Sequence, residues 1–188
     1  MEIAEPFRAD YLNRVLYKCP HCSSEGNMVG KGIRLTCGQC GFAYELDKLG
    51  FLRAVEGEGK FTHVPDWFAW QRKQVRREIE EGSYRFESPV RIFMSRDLKN
   101  IYDIGKGQLT HTPEGFHLVG AGGALDYTQN PQASYSVNSD FYWYEIGDVI
   151  CIGDRKCLYY CFPKGAGDVV AKTRQAAEEM YKISRERT

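Results

Sequence analysis

The order of apolar and polar residues along the chain predicts a mainly β protein with a few helices. Residues 17–56 contain short apolar stretches broken by glycines, and residues 84–163 contain a longer series of alternating or fully apolar stretches; both patterns are typical of strands. Helical periodicity appears at residues 65–81 and 168–184, and residues 6–16 favour a short helix or a linker.

The helix predicted at residues 65–81 has one apolar face. Phe68, Val75 and Ile79 fall within about 40° of one another on a helical wheel, which indicates a buried stripe. Asp66 can cap its amino terminus. The helix predicted at residues 168–184 has Asp168 as its cap. Its expected inner stripe consists of Val169, Thr173, Ala176 and Met180.

The strands predicted in the second half are separated by turn sequences. They include Phe86–Phe93, Gln108–Thr112, Phe116–Val119, Ser134–Val137, Phe141–Tyr144, Val149–Ile152 and Cys157–Phe162. Many antiparallel strands followed by one amphipathic helix favour a small barrel or roll, for example of the pleckstrin-homology-like type. The expected fold is therefore α+β and mainly β. Its expected segments are an N-terminal helix or linker (1–16), a rubredoxin-like zinc ribbon (17–56), a connecting helix (64–82) and an antiparallel β domain with a C-terminal helix (84–188).

Length and composition restrict the class of protein. The 188 residues carry 25 Lys and Arg against 25 Asp and Glu, with the two signs mixed throughout, which makes nucleic acid an unlikely partner. No apolar run approaches the roughly 20 residues of a membrane span, and the first residues do not resemble a signal peptide. We therefore expect a cytoplasmic protein with reduced cysteines.

Four of the seven cysteines have the spacing of a metal site. Cys19 and Cys22 form one Cys-x2-Cys pair, and Cys37 and Cys40 form a second pair after fourteen intervening residues. Each pair can aim two thiolates at one ion from a tight turn, and the intervening chain can form a hairpin. The spacing predicts a zinc ribbon whose four thiolates hold structural Zn²⁺ with no open position for substrate.

Other interpretations of these cysteines are weaker. A rubredoxin-type iron site uses similar ligands, two disulfides need an oxidising compartment, and a redox-active thiol pair needs a βαβ context that is missing here. His21 lies within the first pair and is expected to face solvent, because four thiolates already complete the shell. Cys151, Cys157 and Cys161 are expected to pack as small apolar residues.

No catalytic motif is evident. His63, His111 and His117 are scattered, and the glycines of Gly120–Ala124 do not lead into a helix as a dinucleotide-binding loop would. Aromatic residues at 141–144 and 159–162 fit either a plain core or the wall of an enzyme pocket, and the core interpretation is preferred. We therefore expect no catalytic residues in this chain.

The helix at residues 65–81 combines aromatic and basic residues, which is typical of helices that lie on anionic membranes. The candidate membrane or partner surface consists of Trp67, Trp70, Arg72, Lys73, Arg76 and Arg77. The alternative is a helix that packs on the sheet with solvated arginines, some of them paired with Glu80 and Glu81.

Two stretches, 17–47 and 63–72, resemble the region that follows the catalytic domain in some bacterial 1-acyl-sn-glycerol-3-phosphate acyltransferases, and the ending from Val169 to Ile183 is also similar. The resemblance implies a non-catalytic accessory region of a phospholipid-biosynthesis enzyme, with the catalytic domain in the same polypeptide and a location at the inner face of the membrane.

The family's catalytic Asn-His-x4-Asp motif is missing. The positions five residues after the four histidines hold Gly26, Phe68, Phe116 and Gly122, so no catalytic role is carried over. The favoured hypothesis is a zinc-stabilised accessory region that stabilises the enzyme, docks it on the membrane or binds a regulator. The alternative is a zinc-ribbon adaptor for a protein or nucleic acid.

Overall fold

The structure is a computed structural model that describes residues 2–97, 99–143, 145–164 and 169–186. The chain divides into two compact units. The first, here called the ribbon unit, comprises Met1–Gln74 and Ala166–Ala171. The second, here called the sheet unit, comprises Val75–Gly165 and Lys172–Thr188.

The ribbon unit contains a four-stranded antiparallel sheet in chain order. Its strands are β1 (Met28–Lys31), β2 (Arg34–Cys37), β3 (Ala43–Leu46) and β4 (Leu52–Ala54). The predicted hairpin is confirmed, because Met28 pairs with Cys37 and Lys31 pairs with Arg34. The positive φ of Gly32, 66°, allows the tight turn between β1 and β2.

The segment that precedes the ribbon closes the free edge of β1. Its only helix in the described residues is a short 3₁₀ turn, Leu12–Arg14, so of the two predictions for residues 6–16 the linker fits most of the segment. Instead, the amide of Ala9 donates to the carbonyl of Gly32, and the amide of Tyr11 donates to the carbonyl of Gly30. These bonds satisfy edge groups that would otherwise be open to another chain.

Helix α1 (Val64–Glu80) supplies a large part of the ribbon core. Trp67 has none of its surface exposed and packs with Leu16, Leu35 and Tyr44 around the base of the ribbon. Its indole N–H donates to the carbonyl of Lys18 at 2.9 Å, which removes the cost of burying that group. A ribbon with little apolar area of its own therefore gains its core from a helix that follows it in sequence.

The sheet unit contains seven antiparallel strands and, from Lys172 onward, helix α2 (Val169–Glu186). The strands are β5 (Phe86–Ser95), β6 (Tyr102–Thr112), β7 (Gly115–Gly120), β8 (Leu125–Gln129), β9 (Asn138–Trp143), β10 (Gly147–Gly153) and β11 (Leu158–Pro163). Their order is β8-β7-β6-β5-β11-β10-β9. Thr173, Ala176 and Met180 of the predicted helix stripe are buried; Asp168 and the side chain of Val169 lie outside the described residues.

The sheet curls without closing into a barrel. In the described residues, β8 and β9 are the two edges and do not pair with each other. The curl nevertheless brings β8 over the far side of the sheet, since Gln129 accepts a hydrogen bond from the amide of Gly153 at 2.8 Å. Gly107 and Gly120 leave room for this bend: a Cβ atom on either would lie 2.5 Å from Cδ1 of Ile92.

Two strand predictions in this unit need correction. Residues 134–137 are irregular rather than a strand, because Ser134 donates its hydroxyl to the carbonyl of Ser136, and Ser136 donates to Glu178. Such local side-chain bonds compete with a β ladder. β8 was not predicted, because only two of its five residues are clearly apolar and its buried Gln129 breaks the expected pattern.

Candidate metal centre

Two similar turns position the four cysteines. In the first, the amide of Ser23 donates to the carbonyl of Cys19; in the second, the amide of Gly41 donates to the carbonyl of Cys37. The residue after each pair has a left-handed backbone, with φ of 61° at Ser23 and 76° at Gly41. The chain thus folds back after each second cysteine, as the glycine in the second pair predicts.

The four sulfur atoms converge on one point. All of them lie within 4.8 Å of one another, and the Cys19–Cys40 and Cys22–Cys37 sulfurs are 3.8 Å and 3.7 Å apart. Tetrahedral coordination with metal–sulfur bonds of about 2.3 Å requires sulfurs about 3.8 Å apart. The four-cysteine cluster (Cys19, Cys22, Cys37 and Cys40) is therefore compact enough to hold one metal ion, and two of its six sulfur separations match the tetrahedral value.

Burial divides the cluster into two kinds of ligand. Cys19 and Cys37 are buried in the ribbon core, whereas Cys22 and Cys40 are exposed. Burial raises the pKa of the Cys19 thiol to about 12. The pKa of the Cys22 thiol is lowered to about 6, chiefly by a hydrogen bond from the Ser24 hydroxyl. A bound cation would be needed to hold Cys19 as a thiolate at neutral pH.

Ser24 is a site residue that the cysteine spacing does not reveal. Its hydroxyl oxygen lies 3.1 Å from the sulfur of Cys22 and 3.4 Å from the sulfur of Cys37. A hydroxyl so placed can donate to a thiolate and orient it. The sequence signal that could have found it is a serine two residues after a metal-binding cysteine.

His21 lies beside the cluster but is not part of it. Its ring is exposed and stacks parallel on Phe42, with centroids 5.0 Å apart. Among the described residues, the converging group contains only the four cysteines. This placement agrees with the expectation that His21 faces solvent.

The members of the predicted membrane or partner surface on α1 differ in their exposure. Trp67 is fully buried, which removes it from any exposed surface, and Trp70 is half-buried with the Lys60 ammonium 4.3 Å above its ring. Arg72 is also half-buried, with its guanidinium 5.7 Å from the ring of Phe68. Lys73 and Arg77 are the exposed members of the set.

Arg76 is bound within the sheet unit. Its guanidinium contacts Glu80, Glu179 and Glu186 at 2.8, 3.4 and 2.7 Å, and these contacts raise its pKa above the usual range, chiefly through Glu186. Three carboxylates around one cation leave little attraction for an anionic surface. The interaction joins α1 to α2, and Lys172 with Glu78 makes a second link at 2.8 Å.

We expect Arg76→Met to destabilise the sheet unit by about 2 kcal/mol, because Glu179, with a 4% exposed side chain, would lose Arg76 and keep Lys182 as a charged partner. The matched control is Arg77→Met, whose guanidinium is 64% exposed and 3.7 Å from Glu81, with an expected cost below about 0.5 kcal/mol. Urea unfolding of both variants measures the difference. Equal costs would contradict the role assigned to Arg76.

The remaining cysteines and histidines occupy separate places. Cys151 and Cys161 are buried on neighbouring strands, and Cys157 is half-buried. His63 packs on Phe51, and His117 contacts Asp126 at 2.9 Å. These positions provide no second converging group of metal ligands among the described residues.

His111 differs from the other histidines because it is fully buried. Only 1% of its surface is exposed; its Nδ1 lies 3.0 Å from the hydroxyl of Tyr84, and its ring stacks on Phe116. Burial lowers its pKa to about 3, so the imidazole is neutral at physiological pH. Its neighbours are those of a core residue.

The aromatic residues considered as a pocket wall pack against one another. Trp143 stacks on Tyr160 at 5.0 Å and contacts Phe162 at 5.7 Å, and Phe93 meets Phe162 edge-on at 5.4 Å. They cover the buried Val149 and Cys151 on one face of the sheet. Tyr144, which completes one of the predicted runs, lies outside the described residues.

Comparisons with protein-family models, with curated proteins and with solved structures find no match to this chain. Neither helix in the described part of the chain combines the length and the apolar content needed to cross a membrane. The four-cysteine cluster is consequently the feature that best supports a function.

Proposed function

We propose that this chain is a non-catalytic, zinc-stabilised accessory module. The observation that carries the proposal is the convergence of the four sulfurs, which all lie within 4.8 Å of one another, with two pairs 3.7 and 3.8 Å apart. Zinc suits this donor set because it accepts four thiolates in a tetrahedron and undergoes no redox change. Iron accepts the same ligands, and the experiment below separates the two metals.

The coordination chemistry favours a structural role. Four protein thiolates complete the shell and leave no position for water or substrate, whereas catalytic zinc sites keep one ligand exchangeable. The cluster also lies at the base of the ribbon, where Cys19 and Cys37 belong to the buried core. A metal there would join the two turns that hold the ribbon sheet.

The proposed context is a phospholipid-biosynthesis acyltransferase. Its support is the resemblance of residues 17–47 and 63–72 to the region after that family's catalytic domain. Acyl transfer would belong to a catalytic domain with an Asn-His-x4-Asp motif, which this chain lacks. Sequencing of the native reading frame tests this context. We expect such a motif upstream of residue 1, and a stop codon directly before residue 1 would contradict the proposed context.

Metal analysis of the purified chain tests the zinc site. We expect one zinc ion per chain, and we expect Co²⁺ to replace it with the intense visible absorption of a tetrahedral tetrathiolate site. Cys40→Ser should weaken the metal and shift that spectrum, while Cys157→Ser should change neither. A red protein that contains iron would show that the bound metal is iron and not zinc. A metal-free protein that keeps its ribbon fold would contradict a structural role for the metal.

A further inference from the structure

We infer that Cys40 is the thiolate of the cluster that reacts first with electrophiles, so that the metal centre opens from its Cys40 side. This inference rests on the proposed metal site. It assigns a modification site for alkylating reagents and for hydrogen peroxide. Three differences among the four cysteines support it: exposure, hydrogen bonding and the shape of the neighbouring surface.

Exposure limits the choice to two thiolates. Cys19 and Cys37 are buried, and a reagent cannot approach their sulfurs without opening the ribbon. Cys22 and Cys40 are exposed. Since cysteine reactivity requires both a thiolate and access, one of these two reacts first.

Hydrogen bonds distinguish Cys22 from Cys40. Cys22 accepts bonds from both the hydroxyl and the amide of Ser24, with the hydroxyl oxygen 3.1 Å from the sulfur. Outside the cluster, the donor that contacts Cys40 in the described residues is the backbone amide of Phe42, so Cys40 lacks the additional hydroxyl bond of Cys22. A donated hydrogen bond stabilises a thiolate and makes it less basic. A less basic thiolate is a weaker nucleophile. Cys40 therefore keeps the more nucleophilic sulfur.

The surface next to Cys40 gives a reagent room. Cys40 lines a depression of about 540 Å³ together with His21, Arg34 and Phe42. Cys22 is not among the residues that line it. A small electrophile can thus reach Cys40 from a preformed concavity.

The alkylation step needs no additional reactant. With iodoacetamide, the lone pair of the Cys40 thiolate forms a carbon–sulfur bond while the carbon–iodine bond breaks and iodide leaves. The product is a neutral thioether, which is a poor zinc ligand, so the metal loses one of its four bonds.

With peroxide, the Cys40 sulfur attacks one oxygen, the O–O bond breaks, and hydroxide leaves to give a sulfenic acid. The Cys19 thiolate, 3.8 Å away, then attacks this sulfur, the S–O bond breaks, and a disulfide forms. Two thiolates lose two electrons in total and peroxide is reduced to two molecules of water after protonation. Zn²⁺ leaves because two of its ligands are gone.

The zinc-loaded protein tests the inference. Substoichiometric iodoacetamide followed by peptide mapping should label Cys40 about five times faster than Cys22, and zinc release should follow Cys40 labelling. Ser24→Ala should raise the labelling rate of Cys22 about five-fold and leave that of Cys40 unchanged. Ser24→Thr, which keeps the hydroxyl, should behave like the parent protein.

The outcomes separate the inference from the proposed function. A protein that binds no zinc overturns the proposed metal site. A protein that binds one zinc but is labelled first at Cys22, or equally at both cysteines, overturns the inference alone. If Ser24→Ala does not fold, two measurements on the parent protein still test the inference: the relative labelling of Cys22 and Cys40, and the disulfide formed with peroxide. A Cys22–Cys37 disulfide in place of Cys19–Cys40 would contradict the inference.

Discussion

Replacing Cys37 by serine is expected to unfold the ribbon unit while the sheet unit keeps its structure. Cys37 is buried, is the last residue of β2 and pairs with Met28 of β1, so its loss removes both a metal ligand and part of the core. Zinc binding contributes on the order of 10 kcal/mol to the folding of such modules, which is more than a small ribbon core can replace. Chelation of the parent protein should have the same effect.

Hydrogen exchange measures this result separately in the two units. Amides of β1–β3 should lose protection in Cys37→Ser, whereas amides of β5–β7 should keep it. Emission from Trp67 and Trp70, which belong to the ribbon core, should shift to the red, because their rings become exposed to water. Cys157→Ser, outside the cluster, serves as the control and should preserve both units. Equal loss of protection in both sheets would contradict independent folding of the ribbon.

The cysteine spacing predicted the candidate site better than any other feature of the sequence. Two Cys-x2-Cys turns joined by a hairpin have few alternative arrangements, because each turn fixes the direction of two sulfurs. The paired strands β1 and β2 and the convergence of the four sulfurs follow from that local chemistry. Ser24 could not be assigned from spacing, since its role depends on a hydroxyl that lies near two sulfurs from different turns.

The inner face of α1 was predicted correctly at Val75 and Ile79 but not in its first turns. The buried stripe is Trp67, Gln71, Val75 and Ile79, at four-residue intervals, whereas the apolar pattern had placed Phe68 in it. Because Gln71 is polar, the apolar pattern of the sequence does not reveal that it belongs to the buried stripe. Its amide oxygen accepts from the amide of Lys18, and its amide nitrogen donates to the carbonyl of Val15, so its burial is compensated.

The curl of the large sheet also depends on contacts that are distant in sequence. Alternation predicts most of its strands but not which edges meet, because register and curvature depend on specific long-range partners. The hydrogen bond between Gln129 and Gly153 and the tilted ring contact between Tyr127 and Tyr159 bring β8 over the other end of the sheet. The sequence likewise left open whether His111 lies on the surface or in the core, where the structure buries it.

Acidification is expected to destabilise the sheet unit through His111. Its pKa is about 3 in the folded protein against 6.5 for a free imidazole. Between these values the unfolded chain binds one more proton, so stability rises with pH up to about 6.5 and is independent of this group above that pH. Lowering the pH from 6.5 should therefore cost about 1.4 kcal/mol per pH unit, or about 3 kcal/mol at pH 4.5.

The double variant His111→Phe/Tyr84→Phe isolates this contribution. It removes the imidazole together with the hydroxyl that lies 3.0 Å from it, so neither group is left buried without the other. Urea unfolding followed by circular dichroism between pH 4.5 and 8 gives the slope of stability against pH for each protein. Other ionisable groups, including the metal-binding thiols, contribute equally to both and cancel in the difference. The parent protein should show the steeper slope below pH 6.5, by about 1.4 kcal/mol per pH unit. Parallel slopes would mean that His111 takes up its proton without unfolding the sheet, and that its burial imposes no acid sensitivity.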